Sequence, residues 1–241
     1  MVGVSPVGGR MSDVVPYVPV MLDCRNQHCL IVGGGRVAER KARNLLRGGA
    51  VITVISPILT TQLQELVQLS QIHWIARHYE SGDISGSAEL QYNGTKRYFL
   101  VHAATVDAQV NRQVAEEARF AGIPVNVADH HESSTFINPM VIRRGRLIAS
   151  ITTSGAGPVV GRRLAGELEQ HFGEEYETYI EFLYYLRHRI KQAVQDPAER
   201  RRLLERASEL DILEEIRQEQ FCWWEEPRIE EWIAQHRGEI T

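Results

Sequence analysis

The sequence is poor in the features that export a chain or lodge it in a bilayer. Only three cysteines are present, Cys24, Cys29 and Cys222. They form no C-x-x-C pair, and any disulfide scheme leaves one of them over, which suits a reducing compartment. No apolar run approaches the roughly 20 residues that a membrane helix needs. Residues 1–16 lack the charged start and apolar stretch of a secretion signal. A cytoplasmic protein with no membrane contact is the expectation. A global basic excess is missing too: 27 Lys and Arg face 31 Asp and Glu, a formal net of -4, so no field exists to hold a phosphate backbone and general nucleic-acid binding is disfavoured. Several signatures are absent, namely Y-x-x-x-K, H-E-x-x-H, G-x-x-x-x-G-K-[ST] and G-x-S-x-G, which sets aside common short-chain dehydrogenases, zinc proteases, P-loop NTPases and esterases.

What is present is enough apolar residue, 43% of 241, to bury a real core. The charge is unevenly spread. Residues 195–241 hold 7 Lys and Arg against 13 Asp and Glu, a net of -6, leaving 20 against 18, or +2, for residues 1–194. Residues 1–16 are expected to be an unstructured extension.

From there the pattern alternates between strand and helix. His28 to Val32 is an apolar run ending at Gly33-Gly34-Gly35, and from Arg36 the apolar spacing turns helical. Val51 to Ile55 predicts a second strand, Leu59 to Leu69 a helix, Ile72 to Ala76 a third strand and Arg97 to Ala103 a fourth. An Asn93-Gly94 turn before the fourth predicts a small hairpin or insertion. A helix over Ala108 to Phe120 and a strand over Pro124 to Val127 complete a Rossmann-like α/β unit with a parallel sheet, spanning 17–131. Beyond it, Phe136 to Arg143 and Arg146 to Thr153 predict a hairpin. It belongs to a small α+β segment, 132–157. Helices are expected over Val159 to Phe172, Glu174 to Val194, Ala198 to Glu219 and Arg228 to His236, dividing into a helical domain, 158–194, and an acidic helical tail, 195–241.

Gly33-Gly34-Gly35-Arg36-Val37-Ala38 fits the dinucleotide loop G-x-G-x-x-A, in which glycine permits a tight turn and close backbone approach to a pyrophosphate. Ala38 then allows tight helix packing, and the helix N-terminus offers free amides to the phosphates. At the end of the second strand, where an acidic residue usually binds the ribose diol, stands Ser56. No Arg or Lys lies between Ser56 and Gln64 to hold a 2′-phosphate, which favours NAD. Thr105, Asp107 and Asn111 follow the fourth strand, either facing the nicotinamide half or capping the next helix. The fifth strand runs Val125-Asn126-Val127-Ala128 into Asp129, His130, His131 and Glu132. Side chains of adjacent residues diverge, so a permanent metal site is not expected. Asp129, nearest the strand end, is the candidate general base.

Together these segments resemble a known family. Gly33 to Ala42, Ala103-Ala104-Thr105 with Asp107 and Asn111, Val125-Asn126-Val127 with Asp129, Phe136 with Pro139, and Thr153-Ser154-Gly155 with Pro158 are similar, over about residues 17–195, to the siroheme-synthase dehydrogenase/ferrochelatase module. The resemblance implies NAD-dependent oxidation of precorrin-2 to sirohydrochlorin and, in bifunctional members, insertion of ferrous iron, with iron or cobalt as substrate rather than bound cofactor. It implies Asp129 as the catalytic aspartate and an interlocked homodimer whose contacts come from the hairpin segment. Asn126, His130, Phe136, Pro139, Ser154, Gly155 and Arg162 are the candidate substrate contacts. The substrate is a polycarboxylate, so Arg143, Arg144, Arg146, Arg162 and Arg163 are either its cationic partners or an ordinary solvated face.

Three departures stand out: Asn138 before Pro139, the His130-His131 pair, and Gly157 where some relatives carry serine. No segment resembles the fused methyltransferase domain, so methylation is expected of a separate enzyme, a candidate partner along with downstream tetrapyrrole enzymes. The tail's Leu203, Ala207, Leu210, Leu213 and Ile216, with Phe221, Trp223, Trp224 and Trp232, read as an amphipathic cap or as a docking element. Two other functions stay open. One is an NAD(H)-binding redox sensor, for which no recognition helix or strongly basic element is visible; the other is a dehydrogenase without chelatase activity.

Overall fold

The computed structural model describes residues 17–85, 97–128, 130, 132–155 and 157–237. The expected extension at 1–16, the Asn93-Gly94 turn and Asp129 lie outside them. The described chain divides into two units, 17–138 and 139–237.

In the first unit, β1 (His28–Val32), β2 (Val51–Ile55), β3 (His73–Ile75), β4 (Leu100–Ala103) and β5 (Val125–Val127) form one sheet in the order β3-β2-β1-β4-β5. All four pairings are parallel. Alternate side chains of β1 serve opposite faces, as the period of two requires. Cys29 and Ile31 join Ile52 and Val54 beneath α1 (Arg36–Arg47) and α2 (Thr61–Gln68), whose Ala38, Ala42, Leu45 and Leu63 complete that layer. Leu30 and Val32 face the other way, toward Val114, Ala115 and Ala118 of α3 (Ala108–Phe120). Burial on both faces explains why the strand reads as an unbroken apolar run. The Rossmann-like expectation is met. The fourth strand is shorter than expected because Arg97 leaves the ladder and donates from one guanidinium nitrogen to the carbonyls of Ala121 and Gly122.

The second unit begins with the antiparallel hairpin of β6 (Met140–Arg144) and β7 (Leu147–Ile151), paired from Met140 with Ile151 to Arg144 with Leu147. Gly145 turns it at φ +53°. Pro158 opens α4 (Pro158–His171) as its first residue, where its missing N–H costs nothing. Then come α5 (Glu175–Ala193), α6 (Pro197–Ser208), α7 (Ile212–Arg217) and α8 (Glu226–His236).

The single helix expected over Ala198 to Glu219 is two. Helical geometry turns about 100° per residue, so Ile212 on a straight continuation would face about 180° from Leu203. Both are 1% exposed in one core with Phe182, Leu186 and Ile190, and the break at 209–211 is what lets them share it. The tail's aromatics belong to that core as well. Trp224 and Trp232 are buried, and Phe182 meets Phe221, Trp223 and Trp224 edge-on at 5.2 to 5.7 Å. The amphipathic-cap alternative is therefore the one observed.

Candidate functional site

The glycine loop leaves the carboxyl end of β1. Gly33 sits at φ +120°, and a Cβ there would lie 2.4 Å from the Ala104 carbonyl oxygen. At Gly34 a Cβ would lie 2.0 Å from the Ile58 carbonyl oxygen and 2.7 Å from Ser56 Oγ. Both glycines are thus demanded by the protein's own packing. Gly35 differs: it is exposed, and a Cβ on it would meet nothing within 4 Å. It is the N-cap of α1 and supplies no side chain to the first-turn amides, which leaves them for an anion. Arg36 starts the helix exposed, Val37 packs partly into the core, and fully buried Ala38 sets α1 against the sheet.

Ser56 ends β2, and its hydroxyl donates to the Ile58 carbonyl at 2.8 Å. It is 7% exposed, so it shapes the loop and brings no carboxylate to the strand end. After β4, Asn111 clamps Thr105: its Oδ1 accepts from Thr105 N (3.1 Å) and Oγ1 (2.8 Å), and its Nδ2 donates to the Thr105 carbonyl (3.0 Å). Asp107 caps α3 by accepting from Gln109 N (2.8 Å) and Val110 N (3.3 Å). The capping alternative holds for Asp107, and Thr105 and Asn111 fix the loop that Gly33 touches.

At β5 the structure holds a buried polar cluster that the sequence reading missed. Lys41 Nζ donates to Asn126 Oδ1 at 2.8 Å, His102 Nδ1 lies 3.3 Å from the same oxygen, and Asn126 Nδ2 donates to the Phe136 carbonyl at 3.1 Å. The two donors fix which end of the amide is oxygen. Burial, with the Arg40 charge second, lowers the Lys41 ammonium to about 8. Burial, then the Lys41 charge, lowers His102 to about 3, so His102 is neutral at pH 7. Its ring meets Phe136 edge-on at 5.4 Å. The segment before Phe136 runs back along β5: Thr135 N donates to the Val125 carbonyl and Val127 N to Ser134 Oγ. Ser134 Oγ also donates to the carbonyl of exposed His130. Asp129 and His131, which belong to this turn in sequence, are outside the described residues. A signal for Lys41 existed, because it occupies the i+3 place of the buried ridge Ala38, Ala42, Leu45.

The remaining candidates, Pro139, Ser154, Gly155 and Arg162, belong to the second unit. Ser154 (φ +46°), Gly155 (+107°) and Gly157 (+97°) lead into the N-terminus of α4. Of the arginine group, Arg146 pairs with Glu181 at 2.5 Å and stacks 3.5 Å over the Tyr184 ring, and Arg163 pairs with Glu167 at 3.1 Å. Arg143 and Arg162 form no ion pair among the described residues. Among those residues, too, no three His, Cys, Asp or Glu side chains gather to hold a metal, and no helix is long and apolar enough to cross a membrane.

A parallel sheet in this order with a glycine loop at the carboxyl end of its central strand defines a dinucleotide-binding protein. Comparison with known proteins agrees: residues 20–140 match an NAD(P)-binding family, and residues 176–221 match the SirC C-terminal domain. Siroheme synthase of Methylococcus capsulatus is 37% identical over 193 residues, 80% of this chain and 38% of that protein. Siroheme synthase 1 of Aeromonas salmonicida is 37% identical over 197 residues, 82% of this chain and 40% of that protein. The chain thus spans about two fifths of the length of these curated relatives. A solved structure described as SirC, precorrin-2 dehydrogenase, aligns with TM-score 0.67 and 26% identity over 91% of this chain and 98% of its own. By the match over residues 20–140, half of its length, the chain belongs to that NAD(P)-binding family.

Proposed function

We propose that this chain dehydrogenates precorrin-2 to sirohydrochlorin with NAD, as an oxidoreductase of siroheme biosynthesis. The observation that carries the reading is the open face at Gly35, where uncapped amides of α1 meet free space while Gly33 and Gly34 are closed by packing. Gly33, Gly34 and Gly35 would hold the cofactor with the first-turn amides of Arg36, Val37 and Ala38. The loop shaped by Thr105, Asp107 and Asn111 would border its nicotinamide half. NAD, when bound, supplies a hydride acceptor.

The chain's own part is to place the tetrapyrrole and receive a proton. Precorrin-2 loses a hydride and a proton to become sirohydrochlorin, and Asp129, in its ionised form, takes the proton. Asn126 holds the strand that leads to Asp129 and ties it to Phe136. Arg162, free of ion pairs among the described residues, is a partner for substrate carboxylates, alongside Ser154, Gly155, His130, Phe136 and Pro139. The same base removes pyrrole protons when sirohydrochlorin takes up ferrous iron, which enters as a substrate, so one carboxylate serves the dehydrogenase and a ferrochelatase. Exposed Val141 and Ile148 on the hairpin and Val159, Val160 and Leu164 on α4 support a homodimer.

The test is the visible spectrum of precorrin-2 incubated with purified protein and NAD. Sirohydrochlorin forms with wild type and not with Asp129→Ala. Equal turnover by the variant removes Asp129 from the mechanism, and no turnover by wild type refutes the function. A second incubation of sirohydrochlorin with ferrous or cobaltous ion tests chelation.

A further inference from the structure

The buried cluster at β5 leaves one group without a part in the reaction described above. Lys41 is 7% exposed. Its ammonium has three donor positions, and among the described residues it meets one side-chain acceptor, Asn126 Oδ1 at 2.8 Å, and no carboxylate. A methionine would fill the same space without the desolvation that a buried charge suffers, so packing alone does not call for lysine here. Ionisable groups held in this way cluster at functional sites.

The hydrogen bonds around Asn126 show what the lysine holds. Asn126 Oδ1 accepts from Lys41 of α1 and lies 3.3 Å from His102 Nδ1 of β4, which turns Nδ2 toward the Phe136 carbonyl at 3.1 Å. Phe136 closes the turn that follows β5. The other bonds at the root of that turn run to β5 itself: Val125 N donates to Thr135 Oγ1 at 2.8 Å and Val127 N to Ser134 Oγ at 2.9 Å. On its outer side, Arg119 of α3 donates to the Glu132 carbonyl at 2.8 Å. The Asn126 amide is thus the link that joins the root of the turn to α1 and β4.

We propose that Lys41 is a positioning residue for the proton transfer: by orienting the Asn126 amide it fixes where the turn after β5, the segment that includes Asp129, leaves the sheet. The inference rests on the reading of Asp129 as the base. The charged lysine is the stronger holder, because a hydrogen bond from an ionised donor is about twice as strong as a neutral one, and burial brings its loss of charge down to about 8. The groups that face it do not change there. The Arg40 guanidinium keeps its charge, His102 is already neutral, and Asn126 and Phe136 do not ionise. In the layer beneath α1, burial raises the thiols of Cys24 and Cys29, the latter to about 12.

The kcat and KM for precorrin-2 at saturating NAD, measured on the full chain from about pH 6.5 to about 9, decide it. Wild type is expected to lose about threefold in kcat with a midpoint of about 8, while KM stays unchanged. Lys41→Met should turn over about tenfold more slowly at pH 7, with KM within about twofold of wild type, and show no step in the profile. The inference is overturned by a wild-type kcat that is flat through that range, by a variant that keeps the wild-type rate or the step, or by a loss that falls on KM. The wild-type profile decides even where the variant does not fold. Full turnover in Asp129→Ala, or none in wild type, is instead a failure of the proposed function, and the inference falls with it.

Discussion

Lys41 Nζ and Asn126 Oδ1 meet at 2.8 Å across 85 residues of sequence, joining the glycine-loop helix to the strand that runs toward Asp129. The ammonium has been taken out of water with one neutral amide oxygen as its hydrogen-bond acceptor. The pair therefore ties α1 to β5, at a cost to the charged form of the lysine.

Replacing the acceptor should be expensive. Asn126→Leu leaves a buried ammonium without its oxygen and frees the Phe136 carbonyl, so stability at pH 7 should fall by about 2–3 kcal/mol. Urea unfolding measures this. Lys41→Met, which removes the charge and keeps the bulk, should cost less.

The same lysine has a pH signature. Its folded value, about 8, lies below the ordinary 10.5, so between those values the unfolded chain binds more protons and stability rises with pH. The contribution is complete above about 10.5 and is lost as pH falls through about 8. Unfolding free energies of wild type minus Lys41→Met should climb across that window.

His102 acts in a lower window. Lowered from 6.5 to about 3, it contributes stability that is complete above about pH 6.5 and disappears as pH falls through about 3. The difference between wild type and His102→Leu should shrink steadily across that range; a flat difference would mean the imidazole is solvated in the native state.

Gly35→Ala separates cofactor approach from folding. Its φ is -87° and a Cβ there meets nothing, so the melting temperature should be unchanged while NAD affinity falls by about tenfold or more. Gly34→Ala, aimed at the Ile58 carbonyl, should instead destabilise the fold. Asp107→Ala should cost about 1 kcal/mol as a missing cap of α3.

How much of this was legible beforehand follows from the range of each interaction. The order of strand, glycine loop and helix at 28–47 is local and was read correctly, as were the alternation of α and β and the hairpin around Gly145. Asp107 as a cap was visible as an alternative because a cap needs only the two residues that follow it. The break at 209–211 was not legible, since nothing near Glu209 demands it; it exists so that Leu203 and Ile212 reach the same core. Asn126 was read as a substrate contact, whereas it is buried with its amide engaged by Lys41, His102 and the Phe136 carbonyl; that cluster was not legible because a buried lysine is intelligible only once the oxygen that receives it is known.

The central claim is that the site moves one hydride and one proton from a reduced tetrapyrrole. The most direct test follows NADH and sirohydrochlorin together in one anaerobic reaction of precorrin-2 with NAD and purified protein. The account predicts one NADH for each sirohydrochlorin in the wild type, with both signals lost together in Asp129→Ala. Sirohydrochlorin appearing without NADH, or NADH formation undiminished in Asp129→Ala, would contradict it.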